Sequence, residues 1–96
     1  MPTVVRSPGA KRDLEEIMLT IGRDNSSAAM RWFDRAASLF DLLAMQPDVG
    51  TIVRGRTSNT VRCISFGSYV VYFHRIDDGV EIFRVLHGAR DQTDTV

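Results

Sequence analysis

The sequence predicts an α+β fold in which an antiparallel two-helix hairpin packs on a mainly antiparallel sheet. Three observations predict it: a short β-branched segment near the N-terminus, two segments with apolar residues at helical spacing, and three extended apolar runs in the second half. A chain of 96 residues is long enough for one compact core. We therefore expect a single domain over residues 1–96.

An N-terminal strand is predicted over Thr3–Arg6, where the sequence reads TVVR. Ser7 then offers a hydroxyl that can cap a helix, and Pro8 has the fixed φ that suits the first helical position. The first helix is predicted to end near Gly22. Its apolar side recurs at three- and four-residue spacing, at Leu14, Ile17, Met18 and Ile21.

A second helix is predicted between Asn25, whose side chain can cap it, and Pro47, which ends it. A link of about four residues joins the two helices, so they should form an antiparallel hairpin. The apolar stripe of the second helix is broad and consists of Ala29, Trp32, Phe33, Ala36, Leu39, Phe40 and Leu43.

Three strands follow, reading VRCISF, YVVYFHRI and VEIFRVLH, with turns at Gly67-Ser68 and at Asp77-Asp78-Gly79. They predict a three-stranded meander. The last two strands are apolar on both faces, whereas two helices cover one face of a sheet. We therefore expect the second face to be open until something covers it: the terminal segments, a second copy, or a partner that adds a helix or strand.

Charge and composition argue against several classes of function. The formal net charge is zero, which disfavours a protein that neutralises many phosphates, and we expect no direct nucleic-acid binding by this chain alone. Cys63 is the single cysteine and the two histidines are thirteen residues apart, so neither a metal site nor another cofactor is predicted. No apolar run approaches the roughly twenty residues of a membrane span, and a cytoplasmic location is expected.

The distribution of charge is uneven. From Val49 to Ile76 the chain has four arginines, Arg54, Arg56, Arg62 and Arg75, and no carboxylate. This segment predicts a local positive surface.

The end of the last strand carries the residues best suited to chemistry. His87 follows Arg84 by three positions, and cross-strand pairing can bring Arg62 or Arg75 near them. Such a cluster suits acid–base chemistry on a phosphodiester, with arginines holding the phosphate. A histidine at a strand end is more often a structural residue whose ring forms a hydrogen bond, which is also our interpretation of His74.

Three segments together resemble the ParE branch of the RelE/ParE toxin superfamily: DLEEI (Asp13–Ile17), QPDVG (Gln46–Gly50) and VRCISFGSYVVYFHRIDDGVEIFRVLHGARD (Val61–Asp91). The likeness covers almost the whole chain. It implies the toxin of a type II toxin–antitoxin pair, held in a hetero-oligomeric complex by a ParD-like antitoxin. ParE-type members inhibit DNA gyrase, whereas RelE-type members cleave messenger RNA on the ribosome, so the resemblance leaves a ribosome-dependent endoribonuclease as the alternative.

The resemblance also suggests roles for individual residues. Arg62 and Arg84 match arginines that RelE-type sites place near the scissile phosphate, and His87 lies close to the position of a terminal acid or base. If the protein is instead a binding inhibitor, these three residues and Arg90 are candidates for contacting the target, and no residue is catalytic. Candidates for binding the antitoxin are the aromatic residues Trp32, Tyr72, Phe73 and Phe83.

The sequence departs from the usual ParE pattern at three positions. Thr51 follows Gly50 where an arginine is common, Ser26 stands where a proline often opens the second helix, and His74 replaces a frequent tyrosine. The change at Thr51 is expected to weaken a contact with the target.

Overall fold

The computed structural model describes residues 2–53 and 60–88. Two helices lie on a five-stranded sheet of order β1-β5-β4-β3-β2, in which β1 runs parallel to β5 and the other neighbours are antiparallel. The predicted α+β fold is confirmed. The elements in chain order are β1 (Thr3–Arg6), α1 (Pro8–Asp24), α2 (Ser26–Met45), β2 (Thr51–Val53), β3 (Val61–Phe66), β4 (Tyr69–Ile76) and β5 (Gly79–His87).

The helices begin at the predicted capping residues. The Ser7 hydroxyl accepts a hydrogen bond from the Ala10 amide at 3.0 Å, and the Asn25 side chain accepts one from the Ala28 amide at 3.0 Å. Asn25 has an extended backbone, and its own N–H closes α1 by donating to Ile21. The link between the helices is therefore Asn25 alone, and the expected link of about four residues is wrong because one asparagine serves both helix ends.

The predicted meander of β3, β4 and β5 is confirmed, and the structure adds β2, which was not predicted. Ile52 of β2 lies opposite Arg62 of β3. The chain reaches this edge through Gly50, whose φ is +84°; a Cβ there would lie 2.5 Å from the Cys63 carbonyl oxygen. Three residues are too short to show the two-residue alternation that identifies a strand.

The main core lies between the helices and one face of the sheet, where both helices pack on β5 and α2 also packs on β1. Ile82 and Val85 both belong to this core, although residues three apart on a regular strand point to opposite faces. A register shift explains it: Tyr72 pairs with Arg84 and Phe73 with Ile82, so that Phe83 is passed over. Because of the extra residue, the Val85 side chain near the end of β5 again faces the helices.

The opposite face has a second, smaller apolar cluster. Val61, Tyr72 and Leu86 are 4, 1 and 6% exposed there. These side chains are already buried in the single chain, so the centre of this face is not an open surface that needs a second copy or a partner to cover it. Towards β1, Val5 and Phe83 each remain 39% exposed.

Asp13 of α1 is the one buried charged side chain among the described residues, at 8% exposure. Its carboxylate accepts hydrogen bonds from Arg84 Nε at 2.7 Å, from Arg84 Nη2 at 3.1 Å and from the Val85 amide at 2.9 Å. Gly9 makes room for this arginine, since a Cβ at Gly9 would lie 3.0 Å from Arg84 Cδ. A buried carboxylate is tolerated when it is paired in this way, and the pair joins α1 to the end of β5.

Replacing Asp13 with asparagine should destabilise the fold by about 2 kcal/mol, because it leaves Arg84 without its counter-charge and turns an amide donor towards other donors. Urea denaturation of the purified chain measures the free energy of unfolding. Glu16→Gln is the matched control, since Glu16 is an exposed carboxylate on the same helix and should change stability by less than about 0.5 kcal/mol. Equal effects of the two substitutions would contradict this role for Asp13.

Gly79→Ala should destabilise the fold by about 3 kcal/mol, because the added Cβ would lie 1.9 Å from the Thr3 carbonyl oxygen and separate β1 from β5. Gly22→Ala is the comparison. The added Cβ on α1 would lie 3.7 Å from the Ala29 Cβ of α2, which is an ordinary van der Waals contact. Because alanine favours a helix more than glycine does, this substitution should stabilise the fold by about 0.5–1 kcal/mol. The melting temperature should fall for Gly79→Ala and rise for Gly22→Ala. A Gly79→Ala variant as stable as the parent would contradict the close approach of the β1 backbone to Gly79.

Candidate functional site

An open cavity of about 500 Å³ lies between α1 and the end of the sheet. It contains Arg84 and His87, the two residues that the sequence placed at the end of the last strand. The helix supplies two carboxylates, a hydroxyl and an apolar side chain, and the strands supply the rest. The lining consists of Asp13, Glu16, Ile17, Thr20, Tyr69, Arg84, Val85, Leu86 and His87.

His87 is exposed at the end of β5, opposite Tyr69 in the register. The two rings meet edge to face, with centroids 5.4 Å apart. Tyr69 also meets Trp32 of α2 edge to face, at 5.6 Å. The His87 ring therefore packs against Tyr69, which in turn packs against Trp32 of α2. These contacts hold the ring at the mouth of the cavity.

Arg84 is held by α1. Two of its nitrogens bond the Asp13 carboxylate, and this hydrogen bond raises the pKa of the Arg84 guanidinium above its ordinary value, with help from the charges of Asp13 and Glu16 and against its partial burial. Its positive charge is thus matched by a neighbouring negative one. Asp13 takes two of the five N–H donors of Arg84 and matches its charge, so a phosphate would be attracted to Arg84 less strongly than to an unpaired arginine.

Arg62 lies elsewhere. It pairs with Phe73 of β4, and Phe73 pairs with Ile82 of β5, five positions before His87. Two strand spacings and five residues of rise place Arg62 roughly 10 Å across the sheet and roughly 15 Å along it from His87. The structure brings Arg84 and His87 into one cavity and leaves Arg62 outside it.

The remaining charged candidates do not join this cavity. Arg75 forms an exposed ion pair with Asp48 at 3.2 Å. His74 Nε2 lies 2.6 Å from the Glu81 carboxylate, directly across from it in the register. His74 thus has a cross-strand partner, as its structural interpretation requires. Arg90 lies outside the residues that the structure describes.

Of the four aromatic candidates for antitoxin binding, three are core residues. Trp32, Tyr72 and Phe73 are 8, 1 and 0% exposed, so almost none of their surface is available to another protein. Phe83 is 39% exposed, because the register shift passes it over. The aromatic residues at helical or strand spacing are core residues in this protein. Their spacing in the sequence did not distinguish a core residue from an interface residue.

Sequence reasoning did not single out two exposed aliphatic residues, Ile52 on β2 and Leu42 on α2. They are 54 and 49% exposed. The sequence pattern could have identified Leu42, since it follows the half-buried Leu39 by three positions and makes the apolar stripe of α2 wider than the buried side of the helix. No sequence pattern identified Ile52, because the strand to which it belongs was not predicted.

The described residues contain no group of three or more histidine, cysteine, aspartate or glutamate side chains that could hold a metal ion. Cys63 is partly buried, and this burial raises the pKa of its thiol, which disfavours the reactive thiolate. Neither helix in residues 2–53 has the length and apolar character needed to cross a membrane.

Comparisons with known proteins agree with the fold and extend it. The chain is similar to a solved structure titled "Chromosomal ParDE TA system from P. aeruginosa", with a TM-score of 0.71 and 13% identity over 91% of this chain and 96% of that one. At this identity the likeness shows the fold. No curated protein matches the chain at a significant level.

The sequence profile of one protein family spans nearly the whole chain. Its description is "ParE toxin of type II toxin-antitoxin system, parDE", and it matches residues 4–92. The match includes both helices, all strands except the first residue of β1, and the whole lining of the cavity. The chain therefore belongs to the ParE toxin family of type II toxin–antitoxin systems.

Proposed function

We propose that this ParE-family toxin acts by binding and not by catalysis: it inhibits DNA gyrase and is neutralised by direct binding of a ParD-like antitoxin in a hetero-oligomeric complex. The observation that carries the proposal is the pairing of Arg84 with Asp13. A nuclease of the RelE type would need this arginine to hold a phosphate, and here a buried carboxylate already occupies it.

The charge of the cavity supports the same conclusion. Its lining contains Arg84 at +1 against Asp13 and Glu16 at −1 each, which gives −1 with His87 neutral. A polyanion such as RNA is repelled by a negative cavity, whereas RNA-cleaving sites attract it with cationic side chains. The zero net charge of the whole chain adds no compensating attraction.

Arg62 and His87 remain candidates for contacting the target, and Arg90 remains one from the sequence alone. Arg84 acts in this proposal through Asp13, by holding the end of β5 against α1, so that its neighbour His87 is presented at the surface. Such a surface recognises a protein target through shape and a few charged contacts. Gyrase acts in the cytoplasm, which is where the proposal places this protein.

One observation favours the alternative of a ribosome-dependent endoribonuclease. His87 is exposed and lies against Tyr69, so an acid–base group is present at the mouth of a cavity. Against it, Arg62 lies roughly 15 Å or more from His87 by strand geometry. The alternative therefore lacks a phosphate-binding arginine next to its acid or base.

Producing the chain in bacteria without its antitoxin should stop DNA replication and cause filamentous growth while protein synthesis continues. The matching measurement in vitro is supercoiling by purified gyrase, which the purified chain should inhibit with accumulation of cleaved DNA. Adding the antitoxin encoded beside this chain should reverse both effects. An immediate halt in protein synthesis, with cleaved transcripts and active gyrase, would support the nuclease instead.

His87→Gln should leave growth inhibition within about threefold of the parent, because glutamine retains a polar side chain at the mouth of the cavity but cannot act as an acid or base. A nuclease that uses His87 would lose roughly two to four orders of magnitude in RNA cleavage. Growth after graded induction measures the effect, and circular dichroism verifies folding. Cleavage of transcripts by the parent that is lost in a folded His87→Gln variant would count against a pure binding mechanism.

A further inference from the structure

The strand β1 forms one edge of the sheet, and among the described strands it pairs with β5 alone. The amides of Thr3 and Ser7 both donate hydrogen bonds on the β5 side. Because the backbone groups of a strand alternate in direction, Val5 also turns its N–H and C=O towards β5. The backbone groups of Val4 and Arg6 therefore point away from the sheet, where a further strand could pair with them.

The second helix flanks this edge on the helix-facing side of the sheet. A groove of about 170 Å³ separates α2 from β1 and is lined by Val4, Arg6, Phe33, Ala37, Phe40 and Asp41. The Arg6 guanidinium lies over the Phe33 ring, 5.9 Å from the ring centroid. Arg6 thus lies at the Phe33 end of the groove.

The direction of α2 follows from the position of its C-terminal end. Asp48, just after this end, bonds Arg75 at 3.2 Å. Arg75 pairs with Val80 of β5, and Val80 pairs with Val4 of β1. The C-terminal end of α2 is therefore level with the first half of β1, whereas Phe33 is level with its last residue. The helix runs antiparallel to β1.

The hydrogen-bonding groups of this edge are self-complementary. A second copy, rotated about a twofold axis through Val5, would place its β1 antiparallel to the first. Val4 of each copy would then lie opposite Arg6 of the other, and each such pair exchanges two backbone hydrogen bonds. Val5 would meet Val5 of the second copy on the face away from the helices, where its side chain is 39% exposed in the single chain.

The same rotation brings opposite charges together. Arg6 lies at the Phe33 end of the groove, and Asp41 lies roughly 12 Å further along α2, at the end near Val4. A second copy that places its Arg6 opposite Val4 therefore brings that guanidinium next to Asp41. Both side chains are exposed, and neither has an ion-pair partner among the described residues. The symmetric contact would contain this charge pair twice.

The helices also fit this arrangement, because the twofold axis keeps them on one face of the joined sheet. Since α2 packs on both β1 and β5, two copies of α2 would lie antiparallel and roughly 10 Å apart, which is a normal packing distance. Ala37, midway between Phe33 and Asp41, would lie at their closest approach, where a small side chain is required. Met30 and Met45 are 56 and 69% exposed and lie at similar distances on either side of Ala37, so each would approach the other on the second copy.

We propose that this chain forms a homodimer through β1, in which the two sheets join edge to edge and Arg6 of each copy pairs with Asp41 of the other. The inference is independent of the proposed function, because it requires neither gyrase nor an antitoxin. A second copy suits this edge because one axis relates its hydrogen-bonding groups, its charges and its helix surface to themselves. The contact is closed, so it ends in a dimer and not in a fibre.

The test measures dimerisation of the purified chain by sedimentation velocity between roughly 1 and 300 µM, a range that detects micromolar dissociation constants. The parent should change from monomer to dimer within it. Arg6→Asp should weaken the dimer at least about tenfold, because it places two aspartates together at both ends of the contact. Asp41→Arg should weaken it similarly, because it places two arginines together there.

An equimolar mixture of the Arg6→Asp and Asp41→Arg variants should dimerise again within about threefold of the parent. In the mixed dimer both contacts combine one arginine with one aspartate, and no change inside a single chain produces this recovery on mixing. Arg35→Asp is the matched control. Arg35 lies on the other side of α2, in a depression beside Phe66, and its charge reversal should leave dimerisation unchanged.

Three results would overturn the inference. The first is a parent that remains monomeric at every concentration, whether or not a different protein occupies the edge. The second is a dimer that neither charge reversal weakens, since its contact would then lie elsewhere. The third is a mixture of the two variants that stays monomeric. Circular dichroism verifies folding of each variant, and inhibition of gyrase by the parent tests the proposed function separately.

Discussion

The buried carboxylate of Asp13 determines how the first helix and the last strand of this protein meet. It satisfies the guanidinium of Arg84 and the amide of Val85, 71 and 72 residues away along the chain. A carboxylate at that depth would be costly alone, and its three hydrogen bonds make it a fixed joint between the two layers. The position of α1, and hence the shape of the cavity beside it, depends on this joint.

The joint works together with the register shift in β5. Because Phe83 is passed over, Val85 packs in the core under the helices, and its amide donates to Asp13 beside the two hydrogen bonds from Arg84. Ser7 adds a further tie, donating its hydroxyl to the Phe83 carbonyl at 2.6 Å while it caps α1. Asp13 thus holds in a structural ion pair an arginine that the family resemblance suggested for phosphate binding.

The two faces of the sheet differ in how they are completed. On the face away from the helices, the central residues Tyr72 and Leu86 are already buried in the single chain. On the helix-facing side, two helices leave β3 and β2 partly open, with Ile52 exposed beside Arg62. The described part of the chain thus leaves apolar surface exposed on the helix-facing side of the sheet and buries it at the centre of the other face.

Short-range patterns in the sequence were sufficient for the element order. Apolar spacing indicated both helices, Ser7 and Asn25 marked their N-terminal caps, and the extended apolar runs marked the meander. These features depend on residues that are close together in the sequence. The family resemblance followed from the same local segments and is confirmed by the match over residues 4–92.

The candidate site was predicted in part: His87 and Arg84 do share a cavity, but Arg62 does not join them. No local pattern shows that Asp13 pairs with Arg84, since the carboxylate at that position reads as one more polar residue on the outer face of a helix. The short strand β2 and the burial of Tyr72 likewise depend on which segments lie next to each other in space. Sequence determined the secondary-structure elements and the family. Tertiary packing decided which charges are paired and which apolar surface stays exposed, because both depend on contacts between distant parts of the chain.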